Sequence, residues 1–151
     1  MLTWFLVALG AVAALALACW PFLRERRRPP IGTAERHGAP GEVAPLSQGL
    51  THYRWFGPRR GRVAILIHGL TTPMIAVEQL AEGLGEMGYR VLTYDLYGRG
   101  LSDAPRGRQD RIFFLRQLVD LFAYHGLREE VTMVGYSMGG YGALIYAGAG
   151  V

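Results

Sequence analysis

The first pattern along the chain is the lack of one. Residues 2–23, LTWFLVALGAVAALALACWPFL, are apolar on every side, and the first charge is Arg24. At 1.5 Å per residue, about 20 apolar residues cross the roughly 30 Å hydrocarbon core of a bilayer. Trp4 and Trp20 stand near the two ends, where indole rings suit the interface. Pro21 and the cluster Arg24, Arg26, Arg27 and Arg28 are expected to end the span. A cleaved leader carries its positive charge before the apolar stretch, whereas here it follows. The pattern predicts a single-pass anchor over 1–23, with the basic cluster and the chain after it kept on the cytoplasmic side, as in a bacterial inner membrane.

Residues 24–48 are rich in Arg, Pro and Gly without a sustained period, and read as a linker. From 49 onward the pattern changes. LTHYRWF (50–56) alternates and stops at Gly57-Pro58, predicting a strand and a turn. RVAILIH (62–68), YRVLTY (89–94) and EVTMVGY (130–136) are continuous β-branched or apolar runs, the mark of strands buried on both faces. Between them lie helical spacings. Thr72-Pro73 is expected to open a helix with Ala76, Leu80, Leu84 and Met87 on its inner face, closed by Gly88. A second helix, Asp110 to His125, sets Phe114, Leu118, Leu121 and His125 on one side and ends at Gly126. A third follows Ser137. Strands alternating with helices predict an α/β domain over 49–151, with a mostly parallel sheet and flanking helices. Its ligand would lie beyond the carboxyl ends of the strands.

Composition changes this picture little. All 16 cations among the 151 residues are arginine, and 12 acids leave a net +4. That mild charge argues for no nucleic-acid partner. Cys19 is the one cysteine, so no internal disulfide framework exists. No metal-ligand cluster stands out, and no metal or organic cofactor is implied.

Three loops at strand ends carry the chemistry. Gly135-Tyr136-Ser137-Met138-Gly139 is a G-x-S-x-G pattern between a buried strand and a helix. There a sharp turn lifts the serine above the sheet, and residues two before and two after must lack bulk. The helix N-terminus behind it offers free N–H groups to a developing oxyanion. The loop LIHGLTTP holds His68 and Gly69. Gly69 lets the N–H of Leu70 turn inward, while His68 is expected to fix the loop. In DLYGRGLSD, Gly98-Arg99-Gly100 resembles a dinucleotide fingerprint but meets Asp103 at the third glycine position, and no helix opens there. Asp95 and Asp103 are expected to pin this loop through backbone N–H groups.

HGL, DLYGRGLSD and GYSMGG, each after a strand and in that order, resemble the N-terminal half of an α/β-hydrolase of the esterase and lipase type. The resemblance covers residues 50–151. It implies Ser137 as nucleophile and the N–H groups of Met138 and Leu70 as oxyanion hole, supported by His68, Gly69, Gly135 and Gly139. The implied substrate is a small-molecule or lipid ester. In that family the order is Ser, then Asp or Glu, then His. The 14 residues after Ser137 contain none of these. His37, His52 and His125 have no carboxylate at a spacing that suggests a dyad, so the triad acid and histidine are none of this chain's residues. The elbow strand would also be an open, apolar sheet edge. The expectation is therefore a hydrolase whose chain continues past 151, with the C-terminal strands still to come. A non-catalytic half-domain pairing through that edge is a second reading. An acyltransferase or perhydrolase on the same serine is a third.

Overall fold

The computed structural model describes residues 1–27, 31–127 and 130–148. It falls into two compact units, Met1–Pro30 and Ile31–Val151. The first is the helix α1 (Leu2–Arg26). Its Leu6–Arg24 stretch has a mean hydropathy of 2.3 and is wholly unburied, so it is long and apolar enough to cross a membrane. Pro21 lies inside this helix instead of ending it. A proline removes its own N–H and crowds the preceding turn, which a long apolar helix tolerates.

The second unit begins with α2 (Thr33–Arg36), β1 (Glu42–Leu46) and β2 (Gly49–Phe56). Then come β3 (Val63–Ile67), a 3-10 turn (Met74–Val77), α3 (Glu78–Glu86) and β4 (Arg90–Tyr94). The chain closes with α4 (Arg111–His125), β5 (Thr132–Gly135) and α5 (Met138–Gly148). The sheet order is β1-β2-β4-β3-β5. Strands β4, β3 and β5 are mutually parallel, whereas β1–β2 and β2–β4 are antiparallel. The α/β class stands, with an antiparallel flank added to the parallel part.

That flank corrects the linker assigned to 24–48. Glu42–Leu46 pairs along its whole length with Gly49–Tyr53. Pro45 concealed the strand, but proline is tolerated on an edge strand whose N–H side is unpaired.

Alternation through the central strands fills both faces. Ile65, Ile67, Leu92 and Tyr94 meet Leu118, Leu121 and Phe122 of α4, with Met138 and Tyr146 of α5 against them. Ala64, Leu66 and Val91 meet Val77 and Ala81, with Leu84 alongside. Fully buried leucines such as Leu92 and Leu121 contribute about 2 kcal/mol each. Helix α4 is capped as its sequence implies: the Asp110 carboxylate accepts from the N–H groups of Ile112 and Phe113 at 3.1 Å. Gly126 closes it at φ 64°.

Helix α3 differs from expectation. It starts with a 3-10 turn, and its inward face is Met74, Val77 and Ala81, while Leu80 and Met87 are exposed. Two interleaved stripes have helical spacing here, and the buried one is Val77-Ala81-Leu84. Thr72 provides no cap. Its Oγ1 is buried with no partner among the described residues, and the Asp95 carboxylate takes the N–H of Met74 at 2.8 Å instead.

Candidate active site

The parallel strands direct three loops to one end of the sheet. At the centre stands Ser137, with φ 55°, the only non-glycine residue of positive φ among those described. For a serine this conformation is strained by about 1–3 kcal/mol and persists only where the surroundings enforce it. They do so here. A side chain at Gly135 would place its Cβ 2.3 Å from the Gly139 carbonyl, and one at Gly139 would lie 2.1 Å from the Ile67 oxygen. Both glycines are therefore demanded by backbone contact. The Tyr136 N–H donates to the Ile67 carbonyl at 2.9 Å, and the Gly140 N–H to the Ser137 carbonyl at 3.0 Å. Strand β3, the turn and the start of α5 are thus held together, with Ser137 exposed.

The loop after β3 lies directly beside it. A Cβ on Gly69 would be 3.4 Å from the Cβ of Ser137. His68 is fully buried. Its Nδ1 faces the Gly69 carbonyl at 2.6 Å, and its Nε2 accepts the Leu96 N–H at 2.9 Å. The ring thus carries its proton on Nδ1 and ties the β3 loop to the β4 loop. Burial holds its pKa below the usual value, against the opposing pull of the Gly69 carbonyl and Asp95. These contacts support the loop-fixing role.

Asp95 follows directly on β4 and is 2% exposed. Its oxygens accept from the N–H groups of Met74 at 2.8 Å and Leu101 at 3.0 Å, and from His52 Nδ1 at 2.9 Å. Three segments meet on one carboxylate. Gly100 permits it: a Cβ there would sit 2.2 Å from the carboxylate, at φ 50°. Asp103 accepts from the Leu50 N–H at 2.8 Å and pairs with Arg36. Both aspartates pin the loop as expected. Arg99 completes the frame, donating to the carbonyls of Leu70 at 2.7 Å and Tyr97 at 3.0 Å.

With that geometry in place, a family model described as serine aminopeptidase, S33 (Hydrolase_4) matches residues 58–150. The chain belongs to this α/β-hydrolase family. Among solved structures the chain is similar to a membrane phospholipase A, described as a bacterial virulence factor (29% identity, TM-score 0.66, covering 97% of this chain and 46% of that one). It is also similar to the enol-lactonase from Burkholderia xenovorans LB400 (26% identity, TM-score 0.62, covering 67% and 39%). A likeness of fold alone links it to the epoxide hydrolase VrEH1 from Vigna radiata (20% identity, TM-score 0.64, covering 70% and 34%). The chain thus spans between a third and a half of the length of these proteins.

None of the chain's four histidines serves Ser137 among the described residues. His37 is exposed in the turn after α2. His68 uses both nitrogens in the loops. His52 does form a histidine–carboxylate pair, with Asp95, which spacing along the chain did not suggest because the partners are 43 residues apart. Its Nε2 faces the Pro40 carbonyl at 3.0 Å, so neither nitrogen is left for a serine. His125 lies at the far end of α4, edge-on to Tyr53, Trp55 and Tyr124, with Nε2 buried and without a partner among the described residues. Burial, then Arg90, lowers its pKa. The ring is half-buried, on the same side of α4 as Leu118 and Leu121 as the helical spacing implies.

Beside the elbow, Ile67, Leu96, Phe114, Met138 and Tyr141 line an apolar cavity of about 50 Å³, with Arg111 among its walls. Among the described residues no cluster of His, Cys, Asp and Glu is arranged to hold a metal ion.

Proposed function

We propose that this chain carries the nucleophile half of a membrane-anchored serine hydrolase that cleaves carboxylic esters, lipid-derived ones included. The observation that carries the reading is the strained Ser137 between two glycines that backbone contact makes obligatory. A fold does not hold a polar residue at that cost without a use for its exposed hydroxyl. In the proposed reaction a general base takes the Ser137 proton as Oγ attacks the ester carbonyl, and the same group returns it to the departing alcohol, leaving a covalent acyl-enzyme. Water then releases the carboxylic acid. The backbone N–H groups of Met138 and Leu70 receive the oxyanion. The acid and histidine partners are proposed to come from outside residues 1–151, in the order Ser, acid, His.

α1 is the proposed anchor, and Arg24, Arg26, Arg27 and Arg28 favour a cytoplasmic hydrolase unit. The likeness to a membrane phospholipase A over 97% of this chain supports lipid esters as the substrate class. An acyltransferase would use the same acyl-enzyme with another nucleophile. The non-catalytic half-domain reading draws on β5, which lies at the sheet edge.

The test is ester hydrolysis by the membrane-embedded enzyme. Ser137→Ala should lower kcat by at least about 10³-fold. Unchanged turnover would remove Ser137 from the mechanism. Digestion of the hydrolase unit by protease added outside spheroplasts would reverse the proposed orientation.

A further inference from the structure

The carboxyl end of the sheet carries more than the serine. Residues 104–111, APRGRQDR, lead into α4 and place Arg106, Arg108 and Arg111 against one carboxylate, Asp110. Asp110 is already engaged by the N–H groups of Ile112 and Phe113. All three arginines are exposed, and no ion pair ties them among the described residues. Arg111 opens α4, where a cation opposes the helix dipole, so helix stability does not account for it.

This basic segment is tied to the site. Gln109 Oε1 accepts from Arg99 Nη1 at 2.8 Å, and Arg99 Nε donates to the Leu70 carbonyl at 2.7 Å. On the same rim Leu70 is 42% exposed and Ile75 67% exposed. Ile75 follows Met74, whose N–H is fixed by Asp95. The entry of the chain into this unit is tied to the same end: Arg36 donates to the Leu101 carbonyl at 2.9 Å and pairs with Asp103. Exposed guanidinium groups at the same end of the sheet as exposed aliphatic side chains match a lipid–water boundary. Guanidinium groups meet phosphates there, and aliphatic tips enter the acyl layer.

We propose that the rim formed by Leu70, Ile75, Arg106, Arg108 and Arg111 rests on an anionic bilayer, so that Ser137 opens toward the membrane surface. The inference relies on the anchor reading above and adds which face meets the lipid. An ester drawn from the bilayer then reaches the serine without crossing bulk water.

The experiment uses the whole chain in lipid nanodiscs. An environment-sensitive NBD label is placed at Ile75→Cys, in a Cys19→Ala background that leaves one thiol. A second labelled chain carries Arg59→Cys, on the exposed β2–β3 turn at the opposite end of the sheet. In nanodiscs with 30% phosphatidylglycerol the Ile75 label should shift to the blue and be quenched by spin-labelled lipid, while the Arg59 label stays water-exposed. The Arg106→Gln, Arg108→Gln, Arg111→Gln variant, or high salt, should abolish most of the shift. An Ile75 label as water-exposed as the Arg59 label, in chains that co-elute with the discs, overturns this face and leaves the anchor intact. An acidic protein partner for the rim would give that same result. Chains that fail to co-elute with the discs overturn both readings.

Discussion

A set of alanine substitutions along one helix measures how tightly the elbow is built. Gly139, Gly140 and Gly142 all lie in the first turns of α5. A Cβ at Gly139 would stand 2.1 Å from the Ile67 oxygen and 2.7 Å from the His68 oxygen, and these are backbone atoms that no rotamer can move. The strand end and helix start must separate by about 1 Å. Such overpacking costs about 1–3 kcal/mol. Straining or losing the Tyr136-to-Ile67 hydrogen bond adds about 1 kcal/mol. Gly139→Ala should therefore destabilise the fold by about 3 kcal/mol. At Gly142 the new Cβ would meet only the Ile67 Cδ1, at 3.8 Å, an ordinary contact. Relief of glycine's chain entropy should there stabilise by about 0.5–1 kcal/mol. At Gly140, 3.4 Å from the Gly135 oxygen, the two effects roughly cancel. For a unit of this size, 1 kcal/mol moves the midpoint by about 3–5 °C. Thermal unfolding followed by circular dichroism should place Gly139→Ala about 10–20 °C below Gly142→Ala. Equal midpoints would refute the argument that the elbow glycines are fixed by backbone contact.

Other outcomes follow from the same geometry. Ser137→Gly should raise stability by about 1 kcal/mol, because glycine relieves the positive φ that serine endures, and thermal unfolding reads the gain. Asp95→Asn should cost about 3 kcal/mol in denaturant unfolding, since one buried carboxylate serves Met74, Leu101 and His52. His125→Phe should stabilise by about 1 kcal/mol by removing the orphaned Nε2 from its aromatic surround. Acid should weaken the fold through His68 and His125, both lowered below 6.5. Below that pH the unfolded chain takes up protons that the folded one refuses. Stability is thus complete above about pH 6.5 and falls as the pH drops through it, with a shallower fall in His125→Phe, as pH-dependent melting would show.

The parts legible in the sequence are those fixed by neighbours along the chain. The runs at 62–68 and 89–94 became strands because both their faces are covered, whereas the run at 130–136 became the half-buried edge strand β5, not the fully buried strand expected. Asp110 and Gly126 bound α4 because capping is a local matter. Gly135 and Gly139 announced the elbow for the same reason. What stayed hidden depends on distant partners. His52 finds Asp95 only when β2 lies antiparallel beside β4. Gln117 is buried in α4 because its amide bridges Thr51 and the Asp95 carbonyl, both at 3.0 Å. The edge strand β1 exists through β2, and its own residues, with a proline among them, do not declare it. The inner face of α3 was settled by how the helix meets β4, which spacing alone leaves open between two stripes.

The central claim is that Ser137 is an activated nucleophile. Fluorophosphonate labelling of membranes from the native source, with a Ser137→Ala control, tests it most directly. A labelled band carrying this sequence should appear and should vanish in the variant. A protein present in those membranes yet unlabelled, or labelled equally without Ser137, would contradict it.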